Sequence, residues 1–155
     1  ARPLRRPPEP LFVAGLLHDI GRLAMMTIYP EELCGVLADA QTRDCTLVEA
    51  EFRHFGFDHS TVGAELARRW NFPAEIIDAL AWHHDPARGV PGGLAGIVHY
   101  ADAIAHALDL DGAETGQVPR LDAQTVDALD LGWEALNGVL TETRAGFDSF
   151  ETLLG

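Results

Sequence analysis

Apolar residues dominate the stretch from Leu11 to Met26, where only His18, Asp19 and Arg22 interrupt the run. A segment this apolar predicts a buried helix, here from about Leu11 to Ile28 and stopped at Pro30. Beyond it, apolar residues recur at helical spacing. Leu33, Val36 and Leu37 mark a helix over Glu31–Thr42. Thr46-Leu47-Val48-Glu49 is a capping box that opens a short helix ending near Gly56. Asp58 or Ser60 caps the next, with Val62, Leu66 and Trp70 on one side. Asn71-Phe72-Pro73 breaks the chain and places Pro73 in the first turn of a helix carrying Ile76, Ile77, Leu80 and Ala81. Ala87 to Gly93 form a Gly/Pro-rich loop. Leu94–Leu110 predicts a further apolar helix, Asp111–Leu121 a surface loop, and Asp122–Leu129 and Gly132–Leu154 two amphipathic helices. No stretch alternates in a way that supports a strand. The expectation is an all-α bundle of six to eight helices joined by short loops. Residues 1–10, with Pro3, Pro7, Pro8 and Pro10, are expected to be an extended arm or a truncation edge.

Composition narrows the functional classes. The 155 residues suit one domain with a sizeable core. A net charge of −13 argues against direct nucleic-acid binding, because phosphate contacts need a basic face. Cys34 and Cys45 show no metal-type spacing, and a reduced, cytoplasmic setting is the simpler expectation. No apolar run reaches about 18 residues without a charge, so no membrane span or membrane partner is expected.

The candidate chemistry lies in the histidines and acids. All seven histidines fall between His18 and His106. His18 and Asp19 interrupt the first apolar helix, and burying both is costly unless something pairs with them. Two readings stand there: a divalent metal, for which both are good ligands, or a structural pair satisfied by neighbouring side chains. His59 opens a helix, His83 and His84 end one, and Asp102 sits in an otherwise apolar run from Ile97 to Ala105. Five or six N and O ligands from separate helices favour iron, manganese or magnesium over tetrahedral zinc. Such a site could polarise a phosphoryl oxygen and activate water.

The phrases FVAGLLHDIGRLAM (12–25), EFRHFGFDHSTVGAELARRWNFPAEIIDALAWHHDP (51–86) and LAGIVHYADAIAHAL (94–108) occur in an order that resembles the HD superfamily of metal-dependent phosphohydrolases. They resemble most closely its signalling branch, the HDOD (HD-related output) domains. The resemblance spans about residues 12–110 and extends loosely to 154. It implies an HD-like helical bundle over 11–155 and metal ligation by His18, Asp19, His59, His83 or His84, and Asp102. Arg22 stands where the HD-GYP phosphodiesterases carry a lysine, and would meet a phosphate if the chain were an enzyme. Two departures argue against hydrolysis. The Gly-Tyr-Pro signature is missing after His84, where Asp85-Pro86-Ala87-Arg88 stand instead, and the upstream helix that supplies an extra histidine is not represented.

Two functional expectations follow. The first is a bacterial signal-transduction module, contacting signalling proteins or an attached sensor or receiver domain, with a vestigial or metal-binding pocket. The second is a metal-dependent phosphohydrolase acting on a nucleotide or cyclic dinucleotide. Bland roles are expected for other residues: His54 on the surface, His99 and His106 hydrogen-bonding across a helix turn to Asp102, Met25 and Met26 as core fillers, and Trp70, Trp82 and Trp133 as core or groove anchors. One of His83 and His84 is expected as a ligand and the other as a helix C-terminal cap. Asp109, Asp111, Glu114, Asp122, Asp127 and Asp130 read as a solvated face.

Overall fold

The computed structural model describes residues 7–110, 118–129 and 133–154. Every regular element among the described residues is helical: α1 (Pro8–Leu17), α2 (Ile20–Ile28), α3 (Pro30–Arg43), α4 (Leu47–Phe55), α5 (His59–Arg69), α6 (Ala74–Trp82), α7 (Leu94–Ala107), α8 (Ala123–Leu129) and α9 (Trp133–Leu154), with one 3-10 turn at Pro86–Arg88. The all-α expectation holds. Residues 1–6, most of the loop after Leu110, the acids Asp111, Glu114 and Asp130, and the side chain of Trp133 lie outside the described residues.

The local signals explain most boundaries. The capping box at Thr46 is complete: Thr46 accepts from the Glu49 amide, and Glu49 accepts from the Thr46 amide at 3.0 Å. Helix α4 ends on Gly56 at φ 75°, a conformation that glycine adopts without strain. Asp58 caps α5 by accepting from Thr61 N at 2.8 Å. Asp122 caps α8 by accepting from Thr125 N at 2.7 Å, so it is not part of a solvated acidic face.

Four corrections concern the first apolar segment, Met26 and one of the expected aromatic anchors. The single helix expected from Leu11 to Ile28 is two helices, broken at His18-Asp19. It is also not buried all round: Ala14 and Met25 are in the core, but Phe12 is 71% and Leu16 69% exposed, and Leu23 and Ile28 are exposed as well. Met26 joins this open face rather than the core, and Trp70 is also exposed. By length and composition alone, Pro8–Ile28 could cross a membrane. In the fold, the break brings Asp19 into the polar centre below with His18 on its flank, and α2 lies directly against α5.

That α2–α5 contact is close. A Cβ on Gly21 would stand 2.0 Å from the His59 carbonyl oxygen and 2.6 Å from Gly63 N. Glycine is therefore required for the two backbones to meet. One core cluster joins α1, α5, α6 and α7 through Ala14, Ala67, Ile76, Leu80 and Val98. A second joins α2, α3 and α4 through Met25, Leu33, Val36 and Ala50. A third, around Tyr100, Ile104 and Leu129, brings α8 and α9 onto α7. The polar centre lies where α2, α5 and the C-terminal end of α6 meet.

Candidate metal centre

Helix geometry and capping aim the ligands. Asp19 sits in the turn between α1 and α2, freed from the roughly 100° step that a continuous helix would impose. His59 is the first residue of α5, fixed by the Asp58 cap. His83 and His84 follow the last residue of α6. From these three places, ligand atoms of Asp19, His59, His83 and His84 come within 4.8 Å of one another.

The outer nitrogens fix how these rings point. His59 Nδ1 donates to Glu51 Oε2 at 2.6 Å, and the His59 amide donates to the same oxygen at 2.9 Å. His83 Nδ1 donates to Leu80 O at 3.0 Å. His18 Nδ1 donates to Gly15 O at 2.7 Å. Each Nε2 is thereby left to face inward. Histidines that ligate metals are held in this way, with the far nitrogen bonded to a carboxylate or a carbonyl.

The inner atoms are crowded. His59 Nε2 lies 3.0 Å from Asp19 Oδ1, 3.0 Å from His84 Nε2 and 3.4 Å from His83 Nε2. His83 Nε2 lies 3.6 Å from Asp19 Oδ1. Bonds of about 2.1 Å around one ion give ligand–ligand edges of about 3.0 Å at right angles and about 3.4 Å in a tetrahedron. The observed separations are of that size. Asp19 Oδ1 is buried and, despite its close imidazoles, accepts no well-directed hydrogen bond. A buried carboxylate oxygen short of well-directed donors, with imidazole nitrogens grouped around it, fits a cation as its partner, so the residues present fit a divalent ion.

Burial and neighbouring charges set the protonation of these groups. Burial opposes ionisation of Asp19, but the His59 and His83 imidazoles and the Arg22 guanidinium outweigh it and hold the carboxyl well below the usual range. Burial also opposes the charge on Glu51, and its bonds to His59 prevail and keep it ionised. For His59, burial pushes the pKa down while Asp19 and Glu51 raise it further, so the net shift is upward. Burial keeps His83 and His84 neutral, with their pKa values lowered. Arg22 donates to Asp19 Oδ2 at 2.6 Å and reaches Glu51 Oε1 at 3.4 Å. Its Nη2 is 3.3 and 3.4 Å from the two ring nitrogens of His59, which places it over the ring face rather than along a lone pair.

The other sequence candidates form a flank. His18 Nε2 stands between two acids, 3.6 Å from Asp19 Oδ1 and 3.8 Å from Asp102 Oδ1. His106 Nε2 is 3.5 Å from the same Asp102 oxygen, across one helix turn as expected. Asp102 Oδ2 is buried without a hydrogen-bond donor. His99 does not pair with Asp102; its Nδ1 donates to the His83 carbonyl at 2.7 Å. His83 and His84 both bring a ring nitrogen to the centre, and His83 Nδ1 also bonds the Leu80 carbonyl in the last turn of α6. Sequence reasoning missed Glu51. It is 1% exposed on a helix whose buried face also carries Ala50. A glutamate on an apolar stripe was the available signal.

Fold and centre together define an all-α domain with a His/Asp cluster able to hold a divalent ion. A model of the HDOD domain family matches residues 1–86 of the 155, and the chain belongs to that family. It is also similar to an uncharacterized protein of Treponema pallidum (strain Nichols), at 30% identity over 74 residues, 48% of this chain and 14% of that protein. A protein named Ribonuclease Y from Deinococcus radiodurans is 33% identical over 113 residues, covering 60% of this chain and 20% of that protein. The chain thus spans a fifth or less of the length of these relatives. No solved structure matches it.

Proposed function

We propose that the chain is a signal-transduction module of the HDOD type whose pocket binds a divalent metal through Asp19, His59, His83 and His84. The observation that carries this reading is the anchoring of the His59 and His83 Nδ1 atoms on Glu51 and Leu80, which turns both Nε2 atoms toward a buried centre beside Asp19 Oδ1, itself buried without a well-directed hydrogen bond. Three imidazoles and one carboxylate favour manganese or iron over magnesium, which prefers oxygen donors. Arg22 supports a regulatory rather than a hydrolytic role. Its guanidinium is bound to Asp19 and Glu51 inside the pocket instead of being presented to a phosphate. The module would act through contacts with signalling proteins or with an attached sensor or receiver domain.

The likeness to Ribonuclease Y favours a second reading, a metal-dependent phosphohydrolase. A bound ion there would polarise a phosphoryl oxygen and activate water. The chain's own residues would then hold the ion and position it, with Arg22 swinging to a phosphate.

Metal analysis of the purified protein and Mn²⁺ titration test the first reading. Stoichiometric binding that is lost in His59→Ala is expected, without turnover of bis(p-nitrophenyl) phosphate, cyclic dinucleotides or an RNA oligonucleotide. Binding accompanied by Mn²⁺-dependent turnover that Arg22→Ala abolishes would establish the second reading. Absence of binding to Mn²⁺, Fe²⁺ or Zn²⁺ would overturn both.

A further inference from the structure

We propose that His99 is a positioning residue that seats His83 and transmits the state of the pocket to the start of α8. This rests on the metal-binding reading above. His99 lies on α7, is 3% exposed, and makes contacts in two directions. Toward the pocket, its Nδ1–H donates to the backbone carbonyl of His83 at 2.7 Å. That carbonyl belongs to the C-cap of α6, where no further helical turn supplies a donor, so the buried imidazole satisfies it. Away from the pocket, His99 Nε2 lies 3.4 Å from the amide of Asp122 and 3.2 Å from the carbonyl of Arg120.

Asp122 is the residue that caps α8, through its bond from Thr125 N. Thr125 is buried against α7 at Gly96, where an added Cβ would stand 3.0 Å from Thr125 Cγ2. One rigid ring therefore connects the backbone of a pocket histidine to the cap of a helix outside the matched residues 1–86. His83 has little freedom of its own. Its ring is tied to Leu80 O and its carbonyl to His99. With its ring held by Leu80 O, a shift of His83 toward an ion draws on its backbone and so on His99, whose Nε2 accepts from the Asp122 amide. The coupling is reciprocal: holding α8 in place steadies His83 for the ion.

The two halves can be separated chemically. In His99→Asn, the side-chain amide nitrogen sits near the Nδ1 position and can still donate to His83 O, but the chain is too short to reach Asp122. In His99→Phe, both contacts are lost in a ring of similar size. The measurements are Mn²⁺ affinity and amide hydrogen exchange over residues 118–129, each with and without Mn²⁺. The wild-type chain is expected to show at least threefold slower exchange in 118–129 on loading. His99→Asn should bind Mn²⁺ within about threefold of wild type, yet lose the response in 118–129. His99→Phe should bind about tenfold or more weakly, the size of effect seen for outer-shell partners, and exchange faster in 118–129 even without metal. Wild-type affinity in His99→Phe, a full exchange response in His99→Asn, or Mn²⁺ binding to wild type with no change in 118–129 would each overturn the proposal. If wild type binds no Mn²⁺ at all, the metal reading falls. The tie itself is then overturned by unchanged exchange of 118–129 in metal-free His99→Phe, and upheld by faster exchange there.

Discussion

Replacing Gly21 by alanine should force α2 away from α5 and open the pocket. The new Cβ would stand 2.0 Å from the His59 carbonyl oxygen and 2.9 Å from its carbonyl carbon. Both are backbone atoms at the start of a capped helix, so no side chain can rotate out of the way. The helices must retreat by about 1.4 Å before ordinary contact distance is restored. Asp19 and Arg22 ride with α2, and His59 rides with α5. The 3.0 Å separation of His59 Nε2 and Asp19 Oδ1 would grow by a comparable amount, past the reach of a shared ion. The stability loss should be at least the upper end of ordinary overpacking, about 3 kcal/mol, which lowers Tm by roughly 6–12 °C for a chain of this length. Mn²⁺ affinity should fall at least tenfold.

Gly15 supplies the internal control. It also lies in the first apolar segment, but a Cβ there meets nothing within 4 Å. Gly15→Ala should stabilise the helix by up to about 1 kcal/mol, since alanine is the better helix former. Thermal unfolding followed by circular dichroism, with Mn²⁺ titration of the folded variants, reads both effects. A Gly21→Ala protein with wild-type Tm and affinity, or a Gly15→Ala protein destabilised as strongly as Gly21→Ala, would refute the reasoning.

Three further outcomes are expected. Glu51→Gln keeps the size of the side chain but leaves His59 and Arg22 without their buried charge partner, so Mn²⁺ should bind roughly 10–100-fold more weakly; unchanged affinity by calorimetry would deny Glu51 an orienting role. Stability should fall on acidification. The lowered pKa values of His83 and His84 make protonation favour the unfolded chain below the usual 6.5, and the lowered value of Glu51 adds a loss below the usual 4.5. His59 has the opposite sign, because its raised pKa gives a contribution that is complete below 6.5 and lost only as pH rises above it; a Tm that is flat or rises from pH 6.5 to 4.5 would contradict this balance. Thr46→Ala removes the hydroxyl that caps α4 and should cost about 1 kcal/mol, or roughly 2–4 °C in Tm, and an unchanged melting curve would show that the capping box contributes nothing.

How much of this was legible in the sequence depends on how local each signal is. Capping chemistry is local, and Thr46, Asp58 and Gly56 set helix ends where the residue types indicate. Helical periodicity is nearly as local, which is why the all-α reading and most helix spans hold. The convergence of His59, His83 and His84 with Asp19 is not local. It was reached through a resemblance of phrases, because spacing alone cannot say that residues 24 or 40 positions apart share a centre. Glu51 escaped for the same reason, since its partner His59 belongs to the next helix.

The break at His18-Asp19 escaped for a different one. An uninterrupted apolar run predicts a continuous helix, and no proline interrupts this run between Pro10 and Pro30. What breaks the helix is tertiary. Asp19 takes φ −98° and ψ 10° at the start of α2 and aims its carboxylate toward His59 and Arg22. The His18 ring instead turns back to the Gly15 carbonyl. Had the helix continued, His18 and Asp19 would diverge by roughly 100°, whereas here His18 Nε2 lies 3.6 Å from Asp19 Oδ1. Backbone regularity is given up where Asp19 turns into the centre and His18 onto its flank, and Gly21, two residues after Asp19, lets α2 approach α5 closely enough for that centre to close.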